Sequence, residues 1–196
     1  MPAAPSFDAR LGLRWALRGR DRDERSLVRG AQAGSERDLE ALFTLHWGRA
    51  HRAAYLIVHD ASAAEDIAQE AFISALRALD RFDRTRPFGP WLHRIVVNRA
   101  IDHARARTLR REVAEMAARV AESTQAPVDV SSELVAVLAG LPPEQRAVVV
   151  LRHLLGYTPG EIGDLLGLPR GTVNSRLRRG LDHLASCMSD EDWGQR

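Results

Sequence analysis

The stretch TPGEIGDLLGLPRGTVNSRLRRGLDHL, residues 158–184, decides the fold. Thr158 can cap a helix, Pro159 suits the first helical position, and Glu161 stands three residues after Thr158, where it completes a capping box. Gly167 and Pro169 then turn the chain within three residues, and a longer helix opens with Val173, Leu177, Leu181 and Leu184 on its inner stripe. A short capped helix, a tight turn and a longer helix buried along one side are the proportions of a helix-turn-helix. With that stripe facing inward, Arg170, Asn174, Ser175 and Arg178 project outward, and Arg176 and Arg179 lie on the flanks. Arginine can bind guanine in two places, Asn174 can do the same with adenine, and Thr172 and Ser175 are short enough to contact phosphate. A solvated basic face is the ordinary alternative. Cap, turn, apolar stripe and four arginines occurring together favour DNA.

Upstream, Leu134 and Leu138 precede a Leu-Pro-Pro break at 141–143, and a helix with Ala147, Val148, Leu151 and Leu155 stops at Gly156. Residues 121–132, AESTQAPVDVSS, lose the apolar period and gain proline and small polar residues, so a flexible linker is expected there. Two units follow from it, over 26–120 and 133–188. In the first, Leu39, Phe43, Trp47, Ala50, Ala54 and Ile57 recur at amphipathic helical spacing. Ile67, Ala71, Ala75 and Leu79 mark a second helix ending in the polar run 80–86. Pro87, Gly89 and Pro90 break the chain before Trp91, Leu92, Ile95 and Val96 open a third helix that runs to Glu112 or beyond. With no repeats and no convincing strands, the expected class is all-α: an N-terminal helix bundle and a C-terminal helix-turn-helix domain. Residues 1–25 read as a mobile extension, with an interfacial helix over Leu11–Leu17 as the alternative.

All 28 basic residues are arginine, each a planar fork suited to phosphate oxygens or guanine edges, and codon bias would produce the same composition. The net charge of +2 is unevenly spread. From Arg86 to Arg111 seven arginines (Arg86, Arg94, Arg99, Arg105, Arg107, Arg110, Arg111) stand against Asp102 alone, a local +6. From Asp60 to Glu70 four carboxylates (Asp60, Glu65, Asp66, Glu70) have no arginine among them. The first stretch attracts phosphate and the second repels it. The lone Cys187 excludes an intramolecular disulfide and a multi-cysteine zinc site. No segment approaches the roughly 18 apolar residues of a membrane span, and the first twenty residues carry arginines where a signal peptide needs an apolar run. A cytoplasmic protein is expected.

Three runs, AEDIAQEAFISALRALDRF at 64–82, PFGPWLHRIVVNRAIDHARAR at 87–107 and LPPEQRAVVVLRHLLGYTPGEIGDLLGLPRGTVNSRLRRGLDHL at 141–184, resemble those of extracytoplasmic-function sigma factors. The resemblance covers about residues 36–186 and rests on three motifs in the right order. It implies a transcription initiation factor of two domains that binds core RNA polymerase and promoter DNA, is held by an anti-sigma factor, and has no cofactor, metal, catalytic residue or small-molecule substrate. It assigns Asp66, Gln69 and Glu70 to docking on a coiled coil of the polymerase's largest subunit. It assigns Trp91, Arg94, Asn98, Arg99, Asp102 and Arg105 to the minus-ten element, where arginines track phosphates and Asn98 can bond a base edge. Trp91 could stack on a base, but a tryptophan at the start of a packed helix is usually core. The minus-thirty-five element falls to Arg170, Thr172, Asn174, Ser175, Arg176, Arg178 and Arg179. Two departures stand out. Asn174 sits where the family frequently has lysine or arginine, and Gly180 replaces a usual alanine, weakening an isolated helix by about 1 kcal/mol.

Two rival readings remain at this point. A regulator that binds an operator without polymerase would leave the acidic and arginine-rich helices of the first unit without a task. An enzyme would need chemistry that His46, His51, His59, His93 and His103 do not offer, since they keep neither a ligand spacing nor a fixed general-base partner.

Overall fold

The computed structural model describes residues 24–115 and 132–193. The expected N-terminal extension lies outside the described residues except for its last two positions, and the expected linker does so except for Ser132. Every regular element among the described residues is helical. They are α1 (24–32), α2 (Glu36–Val58), α3 (Ala61–Ala78) with a 3-10 turn Leu79–Arg81, α4 (Phe88–Glu115), α5 (Ser132–Ala139), α6 (Pro143–His153), α7 (Pro159–Leu166) and α8 (Arg170–Trp193).

Local chemistry sets the ends. Gly34 takes a left-handed φ of 86°, Ser35 caps α2 by accepting the Asp38 N–H at 3.3 Å, and Glu36 and Asp38 place negative charge at the helix's positive end. His59 closes α2 in the left-handed region at φ 54°, and Asp60 immediately caps α3 through the Ala63 N–H at 3.1 Å. Alanines then set the packing. Ala50, Ala53 and Ala54 on α2, Ala64, Ala68, Ala71 and Ala75 on α3, and Ala100 and Ala104 on α4 are all buried, which lets these three mutually packed helices approach closely. Phe72, Ile57, Leu92, Val96 and Val97 fill the space between them.

The structure corrects the reading of this unit in two places. α1 precedes the first periodic helix and packs through Val28, with Leu27 and Ala31 half-buried, and Gln32 Nε2 donates to the Leu79 and Phe82 carbonyls. Nine residues are too few for a helical period to show in the sequence. The buried stripe of α2 is also rotated: Leu42 and His46 are inside, whereas Phe43, expected in the core, is 41% exposed. Counting only apolar residues hid His46, the position that carries the stripe from Leu42 to Ala50.

In the second unit α6 and α7 pack on α8. Arg146 organises this region. Its guanidinium donates to the carbonyls of Leu138 (2.8 Å) and Ala139 (3.1 Å) at the end of α5 and of Leu141 (2.8 Å) just beyond it, and reaches the Ile57 carbonyl at the end of α2. Burial pulls this guanidinium down to about 10, so it stays charged at neutral pH and meets the negative ends of two helices, α5 and α2.

Candidate functional site

The helix-turn-helix forms as its sequence dictates. Thr158 Oγ1 accepts the Glu161 N–H at 3.3 Å, and the Glu161 carboxylate accepts the Thr158 N–H at 2.7 Å, closing the capping box. Gly167 ends α7 at φ 67°, and the Gly163 carbonyl accepts the Leu168 N–H at 2.8 Å, which brings α8 back across α7. Val173 and Leu177 are buried as expected and Leu184 packs partly against the core. Leu181, expected on the inner stripe, is 42% exposed, and Gly180 is buried in its place. A Cβ on Gly180 would lie 2.7 Å from Val149 Cγ2, so the glycine that weakens an isolated helix is what lets α8 close on α6.

On the outer side of α8, Arg170, Asn174, Arg178 and Arg179 are exposed, while Thr172, Ser175 and Arg176 are half-buried. Ser175 Oγ donates to the Thr172 carbonyl at 3.0 Å and keeps its lone pairs for another donor. The surface therefore offers four freely presented side chains and three nearer the helix's sides.

α4 carries the second set. Arg94, Asn98, Asp102 and Arg105 recur along one side and all are exposed. Trp91 is half-buried, its ring 4.6 Å from Phe82 and 5.5 Å from Phe88 between centroids, so it packs as part of the core edge. On α3, Asp66, Gln69 and Glu70 are exposed along one face, and Gln69 Nε2 donates to Glu65 Oε1 at 3.2 Å. The acidic and basic stretches, separate in sequence, are stitched together in space. Arg99 Nη1 donates to Glu70 Oε2 at 2.5 Å and Nη2 to Ser74 Oγ at 2.8 Å, and Arg107 lies 3.5 Å from Asp60. Arg99 thus joins α4 to α3. The charge pattern in the sequence gave no sign of this, because the pair is 29 residues apart.

Profiles of two families match this chain: Sigma-70 region 2 over residues 42–133 and Sigma-70, region 4 over residues 131–184. The ECF RNA polymerase sigma factor SigM of Mycobacterium tuberculosis is 34% identical over 86% of this chain and 86% of its own length. The chain belongs to the ECF RNA polymerase sigma factors. SigW of Bacillus subtilis is 30% identical over 83% of this sigma factor and 95% of its own length. Among solved structures, CnrH in complex with the cytosolic domain of CnrY superposes with a TM-score of 0.66 at 28% identity, over 86% of this sigma factor and 98% of that chain. RpoE of Bartonella quintana, solved with the anti-sigma factor NepR, shares the fold at a TM-score of 0.63 and 19% identity, over 78% of this chain and 97% of its own. The protein directs RNA polymerase to promoters. No helix among the described residues is long and apolar enough to cross a membrane.

A buried polar cluster lies beside these surfaces, and sequence reading missed it. His93 on α4 meets the Tyr157 hydroxyl at 2.7 Å through Nδ1, while its Nε2 has no partner among the described residues. His46 Nε2 lies 2.8 Å from Glu24 Oε1, in ion-pair range but outside hydrogen-bond alignment, and that oxygen accepts the Gly89 N–H at 3.0 Å. Burial, helped by His46 and Arg49 nearby, depresses His93 to about 3, and burial with Arg146 depresses His59 to about 4. Burial likewise raises the Tyr157 hydroxyl, so it remains a neutral partner. Both histidines fold neutral. Below their unfolded value of about 6.5 the unfolded chain takes up protons that the folded chain refuses, so their stabilisation is complete above that pH and declines as the pH falls toward 4. His93 alone removes about 2 kcal/mol between pH 7.5 and pH 5. Urea denaturation at the two pH values should show that loss, and equal midpoints would contradict the placement of His93.

Proposed function

We propose that the sigma factor divides its task among three helices, with residues 26–120 and 133–188 as its two units and 121–132 as the linker. Asp66, Gln69 and Glu70 on α3 dock core RNA polymerase. Arg94, Asn98, Arg99, Asp102 and Arg105, with Trp91 at the helix start, meet the minus-ten element. Arg170, Thr172, Asn174, Ser175, Arg176, Arg178 and Arg179 on α8 read the minus-thirty-five duplex. The supporting observation is the pair of exposed, arginine-bearing faces on α4 and α8, with an exposed acidic face on α3 that DNA would repel. Trp91, packed on two phenylalanines, contributes its rim and positions the start of α4.

The chain works in the cytoplasm, where its polymerase is, and performs no catalytic step. A partner that holds it inactive follows from the resemblance, and CnrH and the Bartonella RpoE were both solved in complexes. The α8 assignment is tested by salt. Replacing both exposed residues, Arg178→Ala with Arg179→Ala, should lower the slope of log affinity against log salt by about 2 for duplex carrying the minus-thirty-five element. Fluorescence anisotropy across a salt series reads this directly, and an unchanged slope would place the DNA elsewhere.

A further inference from the structure

An open groove runs between α2 and α3. Its walls are Leu39 and Phe43 of α2, Phe72 and Leu76 of α3, and Phe88 at the start of α4. Phe43 and Leu76 are each 41% exposed, and Ile73, one turn before Leu76, is 46% exposed. Single apolar residues on a surface are ordinary, but aromatic and aliphatic side chains gathered around one concavity mark an interaction site. At about 260 Å³ the groove falls below the roughly 300–1,000 Å³ of a small-molecule site and suits a few side chains of a polypeptide. The charged residues lining it, Glu36 and Glu40 one turn apart on α2, are both acidic.

The chain itself supplies a matching segment. From Phe7 to Leu17 every odd position is apolar: Phe7, Ala9, Leu11, Leu13, Trp15 and Leu17. The even positions hold no large apolar residue, and three of them in succession at intervals of four are Arg10, Arg14 and Arg18. Alternation of this kind gives one side of an extended segment to an apolar surface and the other to water. Charge agrees with shape: the three arginines against Asp8 give residues 7–18 a net +2, opposite in sign to the two carboxylates of the groove. The point of attachment agrees as well. Glu24 is buried at the start of α1, and its Oε1 accepts at 3.0 Å the N–H of Gly89, the residue next to the groove wall Phe88. Residues 18–23, which span up to about 20 Å when extended, are enough to lead from there to Leu17 in the groove.

We propose that residues 7–17 seat their odd side chains in this groove, with Arg10, Arg14 and Arg18 beside Glu36 and Glu40. The segment is then a cover, carried by the chain itself, over the part of α3 next to its docking residues. Phe72 and Leu76 stand three and seven residues after Gln69, on its side of the helix. Core RNA polymerase displaces the cover as it docks, so the segment lowers the affinity for core. That consequence rests on the assignment of α3 made above, whereas the seating rests on the groove and the segment alone.

The experiment uses the full chain. Spin labels on Gly12→Cys, an even position of the segment, and on Ser62→Cys, an exposed residue of α3, are introduced with Cys187→Ser and read by pulsed dipolar spectroscopy. Ser62 precedes Phe72 and Leu76 on the same helix by about 15–20 Å, so a seated segment should give one short, narrow distance. Leu13→Asp with Trp15→Asp should broaden it and move it to longer distances, and so should Leu76→Asp on the groove side. A broad distribution without these changes overturns the proposal, as does a narrow distribution unchanged by either of them. Loss of the distance on dilution into excess unlabelled chain would instead assign the groove to the segment of a second copy. In a separate titration, Leu13→Asp with Trp15→Asp should bind core RNA polymerase several-fold more tightly than the wild type, and equal affinities would overturn the competition. The spin-label distances involve no polymerase, so the seating and the docking assignment of α3 fail independently.

Discussion

Gly163→Ala should destabilise the second unit by about 2 kcal/mol and abolish duplex binding at temperatures where the wild type binds. A Cβ at Gly163 would lie 2.7 Å from the Leu168 carbonyl oxygen, a backbone atom of the turn that cannot swing aside as a side-chain tip can. That turn is held by the Leu168 N–H on the Gly163 carbonyl itself, so moving the oxygen pulls on the bond that returns the chain to α8. Overpacking of this severity costs about 3 kcal/mol, and alanine's better helix propensity returns about 1. At roughly 4–8 °C per kcal/mol for a domain of this size, the melting midpoint should fall by about 10 °C. Gly160→Ala in the same helix is the control. Its Cβ would meet only Thr158 Oγ1, at 4.0 Å, so thermal denaturation should find it no less stable than the wild type. Equal midpoints for the Gly163 and Gly160 variants would show that the turn does not need the close approach.

The second large effect is on polymerase. Asp66→Arg with Glu70→Arg reverses the acidic face of α3 and should lower affinity for core RNA polymerase about 100-fold, the equivalent of roughly 3 kcal/mol of like-charge repulsion at a docked surface. Both residues are exposed, so the cost to folding is confined to the lost Glu70–Arg99 ion pair and should stay near about 1 kcal/mol. Glu70→Arg also removes the ion pair of Arg99 and leaves α8 untouched. Titration of labelled variant into core polymerase gives the affinity, with helicity by circular dichroism as the check on folding. Wild-type affinity in a folded double variant would remove α3 from the docking surface.

What could be read in the sequence was what is local. The capping box at Thr158, the turn at Gly167 and the Ala-rich stripe of α3 all depend on residues a few positions apart, and each appears where its chemistry put it, whereas α4 opens at Phe88, so Gly89 and Pro90, expected in the break, lie in its first turn. Where the reading slipped, a polar or missing side chain occupied an inner position. His46 rather than Phe43 lines α2, and Gly180 rather than Leu181 faces α6. Neither registers in an apolar count. What joins the units was invisible for a different reason. Arg146 to Ile57, His93 to Tyr157 and Arg105 to Glu144 link residues 39 to 89 apart by single polar contacts, and no periodicity encodes such pairs. The candidate surfaces were legible as types and spacings of residues on helices. That several of their charged groups answer one another, Arg99 to Glu70 and Arg105 to Glu144, is a property of the folded chain alone.

On the proposed reading, one chain couples polymerase to chosen promoters through separate acidic and basic helix faces. The most direct measurement is capture of core RNA polymerase on the purified protein, followed by transcription of a genomic fragment library with that complex. Retention of core, with discrete transcript starts that appear only when the protein is present, is the predicted result. Failure to retain core by a folded protein that still binds duplex DNA would contradict the claim.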